Sequence, residues 1–233
     1  MGYFYFDYTY FLVVIGAIIC LVASARVKTT FKKYSAYRSM SGMTGAQAAQ
    51  RILQSAGIYD VKVQHVSGQL TDHYNPKTKT VNLSDSVFNS TSVAAVGVAA
   101  HECGHVLQHA TNYAPLNFRS ALVPVANFGS AIAWPVILLG ALIPSNASYI
   151  IIDIGIWLFS LAVLFQLVTL PVEFNASRRA LQQLQVQGIL GDQELVYTRK
   201  VLKSAAMTYV AGAAAAILQL LRVILLFGGR RRD

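Results

Sequence analysis

Charge is scarce in this chain. Only 12% of its 233 residues are charged, where a soluble domain carries roughly a quarter. Acids are the scarcest: ten Asp and Glu stand against nineteen Lys and Arg, for a net charge of +9. With 55% hydrophobic residues, so little charge excludes an ordinary soluble enzyme. No dense basic motif occupies the polar regions, so no nucleic-acid partner is expected. The positive excess reads instead as the orienting charge of membrane segments. Cysteine is nearly missing. Cys20 lies in an apolar run and Cys103 in a histidine-rich stretch, which excludes a disulfide framework and fits a reducing compartment. Internal repeats and low-complexity linkers are absent as well.

What the chain has is long apolar runs. Four stand out: Tyr10 to Ala25, Leu122 to Ile143, Tyr149 to Leu170 and Ala206 to Phe227. A helix needs about 20 apolar residues to cross the hydrocarbon core. The second and third runs meet that length, and the first does once Tyr3 to Tyr8 are counted as an interfacial aromatic belt. A cleaved signal peptide would need basic residues before the first run. Asp7 stands there instead, and Arg26, Lys28, Lys32, Lys33 and Arg38 follow the run. A retained anchor with an outside N-terminus and a cytosolic C-terminal end is therefore expected. The second and third runs are joined only by Pro144 to Ser148, which predicts a membrane hairpin with both ends on one side. Residues 26–120 and 171–205 then share the cytosol. The fourth run contains Arg222 and ends in "GGRRRD". A full crossing would put three arginines outside, against the charge rule, so either that rule yields or the segment stops short. Its small residues Gly212 to Ala216 predict close helix packing.

The polar region 26–120 reads as a small mixed fold. "TGAQAAQRILQSAGI", Thr44 to Ile58, has the signals of a capped helix ended by Gly57. "VKVQHV", Val61 to Val66, alternates like a strand. A second alternating run, Lys79 to Leu83, follows the turn signal "NPKT". A helix is expected from about Ser90 to Ala110.

That last helix carries "VAAHECGHVLQHA", Val98 to Ala110. His101 and His105 are four residues apart and project from one helix face, where two imidazoles can hold one zinc ion. Glu102 can then act as general base, taking a proton from the attacking water and delivering it to the leaving amine. His109 extends the stripe, but a helix rises about 12 Å over the eight residues from His101, too far for one ion. It is either an outer residue of the site or a helix-end histidine. The third ligand should be an acid on the same membrane side. Asp153 lies inside the third run and is badly placed. Asp192 and Glu194 in "GDQEL" read as the start of the last helix. Glu173 is better placed, at the cytosolic mouth of the third run in "LPVEFNASRRAL", where Pro171 suggests a bend or a new helix start. Ala176 permits close helix approach. Arg178 and Arg179 can orient a carboxylate or carry surface charge. For an oxyanion stabiliser, His73, Arg178 and Tyr209 all have suitable donors.

The stretches "GQLTDHYNPKTKTVNLSD", "AAHECGHVLQHA", "LPVEFNASRRAL" and "AAMTYVAGA" together resemble the YugP-like membrane zinc metallopeptidases over almost the whole chain. The broader likeness is to gluzincin membrane proteases such as the HtpX and CAAX prenyl-protease group. There the third ligand is the glutamate of an E-x-x-A-D pattern, matched here by Glu173 and Ala176, with Ser177 departing from the aspartate. In that group the strand before the zinc helix pairs with substrate, and "TKTVNL" would be its counterpart. The resemblance implies a mostly α integral membrane helix bundle with a small α+β zincin-like cytosolic part. Its parts would be an anchor (1–25), a zincin-like region (26–120), a transmembrane hairpin (121–170), a ligand-bearing helix (171–205), and a last membrane helix with a basic tail (206–233). The expected activity is cleavage of membrane or membrane-proximal polypeptides at the cytosolic face of the plasma membrane, with one zinc per chain. Two alternatives are a site-2-type intramembrane protease, with His101 at bilayer depth, and a non-catalytic zinc-binding scaffold. An open coordination position beside a base argues against the last, because structural zinc is usually closed by four protein ligands.

Overall fold

A computed structural model describes residues 7–144 and 147–227. Most of the expected aromatic belt, the hairpin tip at Ser145–Asn146 and the arginine tail lie outside the described residues. Among the described residues, six helices and three strands follow in the order α1 (Tyr10–Ser35), α2 (Gly45–Ser55), β1 (Lys62–His65), β2 (His73–Asn75), β3 (Thr80–Leu83), α3 (Val93–Ala110), α4 (Ala114–Leu142), α5 (Ala147–Val186) and α6 (Asp192–Phe227). Four of them, α1, α4, α5 and α6, are long and apolar enough to cross a membrane. The chain is thus a mostly α membrane bundle with a small α+β part. It divides into two compact units: the described parts of Met1–Ala23, Phe118–Leu170 and Thr208–Asp233, and Ser24–Asn117 with Pro171–Met207.

In the first unit, glycines set the helix packing. A Cβ on Gly129 of α4 would meet the Leu158 carbonyl of α5 at 2.9 Å, and one on Gly155 would meet Ile137 at 2.4 Å. Between apolar helices in lipid, small residues of this kind allow backbone approach where the hydrophobic effect adds little. Gly16 of α1 takes the same role against Ala215 of α6, which answers the packing expected of the small-residue run. Arg222 is not a stray charge. Its Nη2 donates to Asp7 Oδ2 at 3.0 Å and its guanidinium lies over the Tyr10 ring.

The second unit holds a three-stranded sheet in the order β1-β3-β2, with β1 parallel and β2 antiparallel to β3. The β2–β3 turn is held by the Asn75 side chain, whose oxygen accepts from the Lys77 and Thr78 amides. β3 is not an alternating strand. It is buried along its whole length, because it is the central strand with covered faces. Both its edges are occupied, by β1 and β2, so the strand expected to pair with substrate has no free edge and the open edges of the sheet lie on β1 and β2. The capped helix forms as the sequence suggests: Thr44 and Gln47 make a reciprocal capping box and Gly57 takes φ +70°. Ile52, Leu53, Val81, Leu83, Val96 and Val106 fill the core, each worth about 1.5–3 kcal/mol of burial.

One local expectation fails. Pro171 does not start a new helix; it lies inside α5, which runs from Ala147 to Val186. A helix-interior proline costs about 3 kcal/mol. The buried side chains that follow it, Val172, Glu173, Ala176 and Ala180, anchor the helix through that position.

Candidate active site

α3 begins at Ser92, whose hydroxyl accepts from the Ala95 amide at 3.2 Å. Two glycines then let it sit deep in the second unit. A Cβ on Gly97 would strike Thr198 of α6 at 2.5 Å, and one on Gly104 would strike the Ala176 carbonyl oxygen of α5 at 2.4 Å. Gly104 lies within the H-E-x-x-H pattern, and Ala176 is the small residue expected to permit close approach. Their contact brings the histidines of α3 to the acid of α5.

His101, His105 and Glu173 offer one ligand atom each, all within 4.8 Å of one another. Glu173 Oε2 is 3.3 Å from His101 Nε2 and 3.6 Å from His105 Nε2. Tetrahedral ligands at bond lengths near 2 Å lie about 3.3 Å apart, so the spacing suits one small cation. The buried Oε2 has no hydrogen-bond partner. An orphaned carboxylate oxygen facing two imidazole nitrogens is the donor set zinc takes, and the residues fit that ion. Burial opposes the charged form of His105, yet the facing Glu173 carboxylate and nearby Glu102 outweigh it and hold its pKa above the ordinary histidine value. The pocket therefore favours positive charge.

The second nitrogens of both imidazoles are held. His105 Nδ1 lies 3.0 Å from Gln108 Oε1. Gln108 is fully buried, and its amide nitrogen donates to Val172 O at 2.8 Å and Asn175 Oδ1 at 3.0 Å. Asn175 Oδ1 in turn accepts from Arg179 Nε. With its nitrogen committed, Gln108 can present only its oxygen to His105. Neutral His105 then carries its proton on Nδ1 and turns the bare Nε2 toward Glu173. At His101, the Ser177 hydroxyl lies 3.1 Å from Nδ1. Such partners fix ring orientation and raise ligand basicity. Ser177, at the sequence position where the resembled pattern has an aspartate, thus partners the His101 ring.

Glu102 is buried and outside the ligand group. Its Oε2 accepts from the Tyr74 amide of β2 at 2.9 Å. His109 is also apart: its Nδ1 lies 3.4 Å from the Tyr74 hydroxyl. Arg179 is tied to Asn175 and lies over the Tyr113 ring, while Arg178 is exposed. His73 is exposed, with Nδ1 2.8 Å from Thr71 O. Asp153 and Tyr209 belong to the other unit. Asp192 and Glu194 open α6, where Glu194 accepts from the Met40 and Gly191 amides. The sequence reading missed Gln108 and Asn175. Gln108 lies three residues beyond His105, on the same helix face, which is the one signal that could have found it.

Residues 9–228 match the family described as "putative neutral zinc metallopeptidase". The chain belongs to this family. A curated relative, the "putative membrane protease YugP" of Bacillus subtilis (strain 168), is 45% identical over 217 residues, which cover 93% of this chain and 95% of the relative. No solved structure matches the chain. The family description names zinc, and the donor set of His101, His105 and Glu173 is one that suits it.

Proposed function

We propose that this protein is a membrane-embedded zinc endopeptidase in which His101, His105 and Glu173 hold one zinc ion and Glu102 is the general base. The observation that carries the reading is the convergence of three ligand atoms with Glu102 beside them but outside the set. Zinc supplies Lewis-acid polarisation to the scissile carbonyl and to water. Glu102 takes the proton of the attacking water and returns it to the leaving amine. The Tyr74 amide holds one oxygen of this carboxylate. Ser177 and Gln108 keep both ligand rings in register. β2 is an edge strand of the sheet and lies next to α3, where its Tyr74 amide is already taken by Glu102.

The same reading assigns the chain's layout. Residues 1–25 anchor the protein with the N-terminus outside, 26–120 and 171–205 face the cytosol, 121–170 form a hairpin, and 206–233 form a last membrane helix with its tail. The basic cluster Arg26 to Arg38 supports this orientation. The enzyme then sits in the plasma membrane with its site open to the cytosol, and its substrates are membrane or membrane-proximal polypeptides. The site-2 alternative needs the histidine helix inside the bilayer, and α3 is not one of the four helices apolar enough to span.

The test is a paired measurement on purified Glu102→Gln: bound zinc and peptide cleavage in one sample. Glutamine keeps the shape and the acceptor for the Tyr74 amide but cannot take the proton. The expected result is retained zinc with a rate loss of about 10²–10⁴-fold. Retained zinc with the parent rate removes Glu102 from the chemistry.

A further inference from the structure

The second unit contains a cleft that takes no part in the histidine site. Its volume is about 670 Å³, and it is walled by Arg26, Thr30, Lys33 and Tyr34 of α1 and by Lys200, Lys203, Ser204 and Met207 of α6. On each helix the lining positions recur at three- and four-residue spacing, so each wall is one helix face. Four cations converge here and no acid lines the space. Among the described residues, none of Arg26, Lys33, Lys200 and Lys203 forms an ion pair with a carboxylate. The wall is ordered: Tyr34 is buried and stacks on Tyr197, and Lys33 Nζ lies 5.6 Å from the Tyr34 ring centre. Ser204 donates its hydroxyl proton to the Val201 carbonyl and keeps acceptor capacity only.

Four like charges facing one cleft repel unless an anion lies between them. A phosphate has the oxygens to meet several at once, bidentate with the arginine and as a point charge with the lysines. The cleft is much larger than one phosphate ion and falls in the size range of organic ligand sites. Its position narrows the class further. Arg26 directly follows the apolar run ending at Ala25, and Met207 lies at the start of the last apolar run. The cleft therefore sits where two membrane helices leave their apolar stretches, the depth of lipid phosphates.

We propose that this cleft binds the phosphate of an anionic ligand, and that its depth selects the headgroup of an acidic phospholipid over a soluble phosphate compound. Without the anion, the four cations repel one another across the cleft. With it, they clamp the two helices together. The proposal does not depend on the zinc chemistry.

The test uses the full chain in nanodiscs, with thermal unfolding followed in phosphatidylcholine alone and with added phosphatidylglycerol. A separate arm adds inorganic phosphate or pyrophosphate to the phosphatidylcholine sample. The variants are Lys200→Gln/Lys203→Gln and, as an equal loss of charge elsewhere, Lys62→Gln/Lys77→Gln. Phosphatidylglycerol should stabilise the parent and the control pair. The cleft pair should lose about tenfold or more in apparent lipid affinity, each cation near an anionic surface being worth about fivefold. In phosphatidylcholine alone the cleft pair should be at least as stable as the parent, because repulsion is relieved; this also shows that it folds. Single-site Lys33→Gln should shift both readouts the same way by less. Cleft-dependent stabilisation by inorganic phosphate, with none by phosphatidylglycerol, would keep the phosphate site and overturn the lipid source. Equal responses of the cleft pair and the control pair, or no response to either anion, would overturn the site.

Discussion

The two units bury opposite things. The apolar one buries glycines and turns many of its large side chains outward: Leu21, Phe128, Leu142 and Trp157 are all exposed. The other buries polar groups. Glu102, Gln108, Glu173 and Thr198 are all enclosed there, and each has a partner or a facing charge. A bilayer explains the first pattern, since lipid covers large apolar side chains and helices associate through small ones. Chemistry explains the second. An unpaired buried carboxylate costs several kcal/mol, and Glu173 is tolerated because two imidazoles face it; a cation held between them would offset that cost further.

The largest break in this contrast is expected from Glu173→Ala. It should bring bound zinc and cleavage down to background, whereas Arg222→Ala in the other unit should leave zinc in place. Metal analysis of the two purified variants checks this; full zinc in Glu173→Ala refutes the ligand set. A smaller effect is expected from Gln108→Leu, which frees His105 to rotate or change tautomer. Outer partners of metal ligands are worth about 10–100-fold in affinity. Zinc competition with a chelator should show a loss of that size, and an unchanged affinity would reduce Gln108 to a packing role.

Glycines sharpen the comparison. At Gly104 an added methyl meets a backbone oxygen at 2.4 Å; at Gly16 it meets Ala215 at 3.2 Å. Gly104→Ala should destabilise by about 1–3 kcal/mol, the usual range of overpacking, and Gly16→Ala by clearly less, as read from melting in detergent. The reverse order would mean that the approach of α3 to α5 is loose. The smallest effect concerns Cys103. It lies inside the histidine motif but is buried against the Ala49 carbonyl, and burial pushes its thiol pKa up. In a Cys20→Ala background it should resist iodoacetamide at pH 8 until the chain unfolds, and Cys103→Ala should keep its zinc. Rapid native labelling, seen by intact mass, would contradict this.

The legible features were those with a short period. His101 and His105 declare themselves by spacing, the apolar runs by length, and Thr44 with Gln47 by the capping pattern. Glu173 was legible as an acid near the mouth of a span and by family likeness, not by local pattern. Three things were not legible. β2 is three residues long, too short to show alternation. β3 lost its alternation because both its faces are covered. Gln108 gains its meaning from Val172 and Asn175, more than sixty residues away, and no local pattern encodes such a contact. Pro171 does not mark a new helix start for a related reason: local propensity favours one there, and burial of the residues after it carries α5 through that position.

The proposed activity rests on a zinc ion held by two imidazoles and a carboxylate. Zinc-edge X-ray absorption on the purified chain tests it most directly. The expected result is a shell of nitrogen and oxygen at about 2.0–2.2 Å with imidazole outer scattering, as His101, His105 and Glu173 would supply as ligands. A sulfur scatterer at about 2.3 Å would bring Cys103 or Cys20 to the metal and contradict it.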